Sequence, residues 1–191
     1  MPPKAKFTKD EIIDAALLII KEEGIENLTA RNLGSKLKSS SCPIFTIFKN
    51  MEEVKIATIQ KAKQIYRKYV EEGLNDSIPF RGVGKLYIRF ASEEPKLFQL
   101  LFMNDENSTI DSNSILPLID ENYEIILRSI TSSFPVDETF ANHLYYHMWI
   151  YTHGIACLNA TRTCKFSNTQ TENMFNQVFL SLMDSRGKKY E

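Results

Sequence analysis

An all-α protein of about nine helices is what the sequence predicts, and three observations predict it. Apolar residues recur at three- and four-residue spacing along nearly all of the 191 residues. Alternating runs of the kind that a half-buried strand needs are few and short. Capping patterns, glycines and prolines then cut the chain into segments of helical length. With 43% hydrophobic residues the chain can bury a sizeable core, and 25% charged residues is the usual share for a globular protein. No apolar run reaches the roughly 18 residues that span a bilayer. Residues 1–6 are basic, but no apolar segment follows them, so neither a membrane partner nor a secretory signal is expected. Cys42, Cys157 and Cys164 suggest no disulfide framework, which fits a reducing, cytoplasmic setting.

The first helix opens at Thr8. Thr8-Lys9-Asp10-Glu11 has the capping-box form, in which a hydroxyl and a carboxylate each satisfy an orphan backbone donor. Ile12, Ala15, Ala16, Ile19 and Ile20 then share one apolar stripe, and Gly24 is placed to end it. Thr29 caps a short second helix with Leu33 and Leu37 on its inner side. Ser39, Ser40 and Ser41 interrupt the pattern and can cap a third helix with Pro43 in its first turn and Ile44, Phe45 and Phe48 on its apolar face. Asn50 caps a longer fourth helix over about 51–72, with Val54, Ala57, Ile65 and Tyr69 facing inward and Gly73 at its end. Residues 74–82 gather Asn75, Asp76, Ser77, Pro79 and Gly82 and read as a joint. Helices over about 82–93 and, opened by Pro95, to Met103 come next, then a polar loop over 104–114. A helix over about 115–132 stops at Ser132-Ser133-Phe134-Pro135. Two longer helices close the chain at about 137–163 and 168–184, the last opened by a capping box at Thr169-Gln170-Thr171-Glu172. The implied division is a head over 1–50, continued by the connecting helix to about 72, and a C-terminal domain over 73–191.

The net charge of −1 conceals an asymmetry: residues 1–70 carry 13 Lys/Arg against 8 Asp/Glu, and residues 71–191 carry 10 against 16. A basic first third suits a polyanionic partner. Two short helices joined by a tight turn and packed on a longer one are the parts of a helix-turn-helix unit, whose second helix enters the major groove of double-stranded DNA. That helix would present Ser40, Ser41, Cys42, Pro43, Thr46, Ile47 and Lys49. Thr29 and Arg31 open the helix before it, where free N–H groups and the helix dipole favour a phosphate.

Taken together, Ile12, Ala15, Ala16, Leu18, Gly24, Leu28-Thr29-x-Arg31-x-Leu33-Gly34-x-x-Leu37, Ser40 and Ile44-Phe45-x-x-Phe48-x-Asn50 resemble the DNA-binding head of the TetR/AcrR family of bacterial regulators. The resemblance covers about residues 8–60. It implies a homodimer with two such heads, an all-α C-terminal ligand-binding domain, and most often a repressor that leaves a palindromic operator when a small-molecule effector binds. It also implies that Thr29 and Arg31 contact phosphates or groove edges, that Ser40 is the small polar residue of the turn, and that Phe45 stands where an aromatic, usually Tyr, touches a phosphate. Four positions depart from the family pattern. Lys38 replaces a turn glycine and is expected to hold a left-handed conformation at some cost. Phe45 lacks the hydroxyl of the usual Tyr. Ile47, in place of His or Tyr, is limited to apolar contacts such as a thymine methyl. Met51 replaces a lysine, a loss that Lys49 and Lys55 are placed to offset.

The C-terminal part is rich in aromatics. Phe90, Phe98, Phe102, Met103, Tyr123, His147, Trp149 and Tyr151 are its candidate pocket for an apolar or aromatic effector, with ordinary core as the alternative role of each. The segment from Tyr145 to Gly154 is apolar around most of its circumference and needs covering on more than one side. The last two helices are therefore the expected dimer interface, as a four-helix bundle, and the family resemblance implies the same. His143 and His147 lie four apart on one helical face, but no third ligand sits at an obvious spacing, so no metal or other cofactor is expected. Cys42 is read as a small residue near a helix start, with a redox switch as the alternative. No Ser/His/Asp grouping, phosphate-binding glycine loop or framed pair of carboxylates points to an enzyme. Met51 and Phe45 leave one other reading: a helical binding or scaffold protein with a decayed head.

Overall fold

The computed structural model describes residues 6–103 and 115–186. Among these residues the protein is all-α, with nine α-helices, two 3-10 turns and no strand. The helices are α1 (Lys9–Glu23), α2 (Ala30–Lys36), α3 (Met51–Leu74), α4 (Pro79–Glu93), α5 (Pro95–Phe102), α6 (Ile115–Ile119), α7 (Tyr123–Ser133), α8 (Glu138–Ala160) and α9 (Asn168–Asp184). The expected loop over 104–114 lies outside the described residues. None of these helices is long and apolar enough to cross a membrane. The chain forms two compact units, one from Met1–Tyr66 with Glu94–Asn104 and one from Arg67–Glu93 with Asp105–Glu191.

In the first unit, Thr8 caps α1 as the sequence predicts. The Glu11 N–H donates to Thr8 Oγ1 (3.2 Å) and the Thr8 N–H to Glu11 Oε2 (2.7 Å). Those bonds from Thr8 hold the exposed Glu11 carboxyl below its ordinary pKa. Gly24, at φ 97°, ends the helix in a conformation that few other residues adopt. One face of α1 buries Ile12, Ala16, Ile19 and Ile20 with Leu33, Ile44, Phe48 and Val54, and α5 packs on α1 with Leu97 and Phe98 fully buried. Tyr66 and Phe102 meet edge to face at 4.9 Å. Ion pairs from Lys61 to Asp14 (3.2 Å) and from Lys21 to Glu94 (2.5 Å) fasten the margins of α1.

In the second unit α4 pairs chiefly with α8, and α7 and α9 pack on the same two helices. Phe80, Tyr87, Phe90, Ile126, Ile130, Leu144, Met148 and Phe175 are its larger buried side chains. The single helix expected over 115–132 is two, because Asp120 breaks it. Asp120 Oδ1 accepts from the Asn122 N–H (2.8 Å) and side-chain amide (2.9 Å), a local turn that competes with the helical ladder. The last helix is capped two residues earlier than the sequence suggests. The Gln170 N–H donates to Ser167 Oγ (3.2 Å), and the Ser167 N–H donates to Gln170 Oε1 (2.9 Å). Thr171, the third residue of the expected capping box, is buried instead.

Gly73 and Gly82 also differ from expectation. Gly73 lies inside α3 rather than beyond it, and Gly82 lies inside α4 rather than in the joint. The true turn is centred on Asp76, whose Oδ1 accepts from the Ile78 N–H (2.9 Å) and from Arg81 (2.9 Å). The Ile78 bond does most to hold that carboxyl below its ordinary pKa.

Candidate nucleic-acid interface and ligand region

α2 is short because both its ends are tightly closed. Thr29 Oγ1 accepts from the Asn32 N–H (3.2 Å) at the start. At the other end the Lys38 N–H donates to the Ser35 carbonyl (3.0 Å) and the Ser39 N–H to the Gly34 carbonyl (2.9 Å). These are the two bonds of a Schellman motif, with Lys38 at the position that favours glycine. Its φ is 52°, the left-handed geometry expected for a residue replacing the turn glycine. Such a residue costs about 1 kcal/mol or more. Lys38→Gly is therefore expected to raise stability by about 0.5–1 kcal/mol, part of the relief being offset by the freer unfolded chain. Urea denaturation measures it, and a lower midpoint than wild type would show the lysine to be unstrained.

Gly34 lets the turn fold back on α2: a Cβ there would stand 3.1 Å from the backbone of Ser39, Ser40 and Ser41. After the turn, the expected third α-helix is absent. In its place is a 3-10 turn at Ile44–Thr46, continued on both sides by bonds to the third residue back, such as Phe45 N–H to Cys42 O (3.2 Å) and Ile47 N–H to Ile44 O (3.1 Å). Three causes act together. Pro43 supplies no N–H, Ile44, Thr46 and Ile47 are β-branched, and the Thr46 hydroxyl donates to the Pro43 carbonyl (2.7 Å) that an α-helical Ile47 N–H would use. Asn50 caps α3 as expected, with Oδ1 accepting from the Glu53 N–H (3.0 Å).

The residues expected to meet DNA lie at or near the surface. Thr29, Arg31, Ser40, Cys42, Phe45, Thr46 and Lys49 are exposed, and Ser41, Pro43, Ile47 and Lys55 are half-buried. Phe45 leaves 43% of its surface open, while Ile44 and Phe48 turn inward. Arg31, Lys38 and Lys55 form no ion pair among the described residues, whereas Lys49 pairs loosely with Glu53 (3.6 Å) and Lys36 with Glu22 (2.5 Å). Lys6 lies outside the residues that the sequence predicts for this surface, yet its Nζ donates to the Ser39 hydroxyl (2.9 Å) and sets a further cation beside the turn. The run of Lys4, Lys6 and Lys9 was the available signal.

The eight aromatic and neighbouring residues proposed for a pocket are dispersed. Phe98, Phe102 and Met103 belong to the first unit, where Phe98 is fully buried and Met103 is 40% exposed. In the second unit Phe90 packs edge-on against Tyr69 (5.1 Å). Tyr123 stacks on Tyr145 (5.7 Å) and its hydroxyl donates to Asn142. Tyr151 is half-buried, and His147 is exposed beside His143, with ring centroids 4.3 Å apart. No group of three or more metal-ligating side chains occurs among the described residues.

Trp149 belongs to a ladder along α8 with Tyr145, His153 and Cys157, each four residues from the next. Its indole stacks on His153 (4.9 Å). His153 Nδ1 lies 2.8 Å from the Tyr87 hydroxyl and Nε2 lies 3.3 Å from Cys157 Sγ. Burial raises the Tyr87 and Tyr145 phenols and the Cys157 thiol and lowers the His153 imidazole, so all four are neutral near pH 7. The buried Tyr145 hydroxyl has no hydrogen-bond partner among the described residues. With its folded pKa below the ordinary value, His153 takes a proton more readily in the unfolded chain. Its neutral form is therefore fully tolerated above about pH 6.5, and stability falls as the pH drops through that value. Thermal midpoints measured between pH 7.5 and 5.5 are expected to fall, and to fall less in His153→Gln. Equal slopes in the two proteins would remove His153 as the source.

No protein-family model matches the chain, and no curated protein matches it.

Proposed function

We propose that the protein is a DNA-binding transcriptional regulator of the TetR/AcrR type, cytoplasmic, and most simply a homodimeric repressor released from a palindromic operator by a small ligand. One observation carries the reading: α2 and the segment over 39–49, joined by the left-handed turn at Lys38, expose Arg31 and Lys49 with short polar side chains from one tightly packed framework. Cations at a surface of this kind neutralise phosphates, and Thr29, Ser40, Thr46 and Ile47 offer hydrogen bonds and a methyl contact to groove edges. The homodimer is supported by a stripe along α8, where Ile150 and Leu158 are 46% and 39% exposed on either side of Gly154, and by Leu180 of α9, 59% exposed. A second copy of the same helices is the simplest cover for that apolar surface.

Selection from a random duplex pool tests the reading. The expected product is an inverted repeat bound by a dimer, with affinity falling steeply as salt rises. A folded dimer that enriches no sequence would overturn it. The second reading, a helical scaffold with a decayed head, is favoured by the 3-10 turn that stands in place of a recognition helix and by the lost polar contacts at Phe45 and Met51. It predicts that charge reversal at Arg31 changes nothing in the cell.

A further inference from the structure

The second unit contains a groove of about 810 Å³ between α4 and the connection from α8 to α9. That is within the range of about 300–1,000 Å³ that holds small organic ligands. Its charge is opposite to its surroundings. Residues 71–191 are acidic overall, yet among the described residues that line the groove the cations Lys85, Arg89, Arg162 and Lys165 outnumber the carboxylates Glu93 and Glu172. Both carboxylates are already engaged, Glu172 with Lys85 and Glu93 with Arg89 (3.5 Å), and Arg89 is further fixed by Glu72 (2.7 Å). Lys85 and Arg89 are thus held in place at the wall. Arg162 and Lys165 form no ion pair among the described residues and are exposed at the rim.

Arg162 also sits in a costly conformation. Its φ is 58°, and it closes α8 with the bonds that glycine usually serves, Arg162 N–H to Asn159 O (3.0 Å) and Thr163 N–H to Leu158 O (3.0 Å). A glycine would close the helix better, so the position carries a cation over the groove at a cost in stability. Leu86 and Phe166 add apolar wall between the charges.

We infer that this groove binds an amphipathic organic anion, a carboxylate with an apolar chain or ring, its head between Arg162 and Lys165 and its tail against Leu86 and Phe166. A bare inorganic anion leaves the apolar wall uncovered, and an uncharged amphiphile leaves two cations unanswered. As an effector site the groove rests on the regulatory reading above, but as a binding site it does not.

Titration calorimetry on the full chain without DNA tests it, using decanoate, decan-1-ol and inorganic phosphate as probes. Decanoate is expected to bind at least tenfold more tightly than either of the others. In Arg162→Gly/Lys165→Gln its affinity is expected to fall about tenfold, with decan-1-ol binding and the thermal midpoint not reduced, because glycine suits the left-handed position. Decanoate binding no better than decan-1-ol, or equally well in the double variant, overturns the proposal. Because no DNA is present, a failure here is separate from a failure of operator selection.

Discussion

Gly82→Ala is expected to destabilise the protein by about 3 kcal/mol, at the upper end of what overpacking a tight contact costs. A Cβ at Gly82 would lie 2.1 Å from the Gly73 carbonyl oxygen and 2.5 Å from Asp76 Cβ. Non-bonded carbons are comfortable only at about 3.5–4.0 Å, so α3 and α4 must separate by more than an ångström. The obstacle is backbone, which cannot swing aside as a side chain does. Separation also loosens the facing contact, where a Cβ on Gly73 would already meet Val83 Cα at 2.7 Å, and it strains the Asp76 turn with its bonds to Ile78 and Arg81. The gain in helix propensity from glycine to alanine is only about 1 kcal/mol and does not offset this. Gly154→Ala is the internal control. Nothing among the described residues lies within 4 Å of a Cβ there, and the expected effect within a single copy is a gain of up to about 1 kcal/mol. Urea denaturation of both variants decides the matter. A Gly82→Ala protein as stable as wild type would show that the crossing is not tight.

Arg31→Glu is expected to lower DNA affinity about a hundredfold and to flatten its salt dependence by one to two phosphate equivalents. The side chain is exposed, forms no ion pair among the described residues, and lies in the first turn of α2. Leu33, on the other side of that helix, is buried and untouched by the change. An acidic residue in a first helical turn is favourable to the dipole, so the fold is expected to hold within about 0.5 kcal/mol. Loss of binding without loss of stability would therefore report a phosphate or groove contact. Unchanged binding to the selected operator would remove Arg31 from the interface, and unchanged cellular behaviour would favour the scaffold reading. Lys49→Ala is expected to cost less, because Lys49 already shares its charge with Glu53 (3.6 Å).

The elements legible in the sequence are those decided by bonds between near neighbours. Thr8 with Glu11, Thr29 with Asn32 and Asn50 with Glu53 each join residues three apart, so capping residues mark the starts of α1, α2 and α3 before any packing is known. The left-handed geometry of Lys38 was expected only from the resemblance, which places a turn glycine there, and the two bonds of the Schellman motif are its physical reason. The count of nine helices agrees with the structure only because two differences offset each other: one expected helix tightens into a 3-10 turn, and another breaks at Asp120.

What the tertiary structure alone decided is which faces meet. Two overlapping patterns, Ser167 with Gln170 and Thr169 with Glu172, compete for the start of α9, and burial of Thr171 gives the cap to Ser167. Gly73 and Gly82 read as breakers locally and became the closest approach of two helices, because only the absence of both Cβ atoms permits it. The aromatic residues were visible as a set, but composition does not say what each one faces, and they went to two separate units. The cationic groove was not visible at all, since Lys85 and Arg89 are more than seventy residues from Arg162 and Lys165 and only the fold brings their charges together. Local hydrogen bonding is written in residues three and four apart. Packing and long-range charge are not, and they decided where this protein is tight, where it is open and where it is positive.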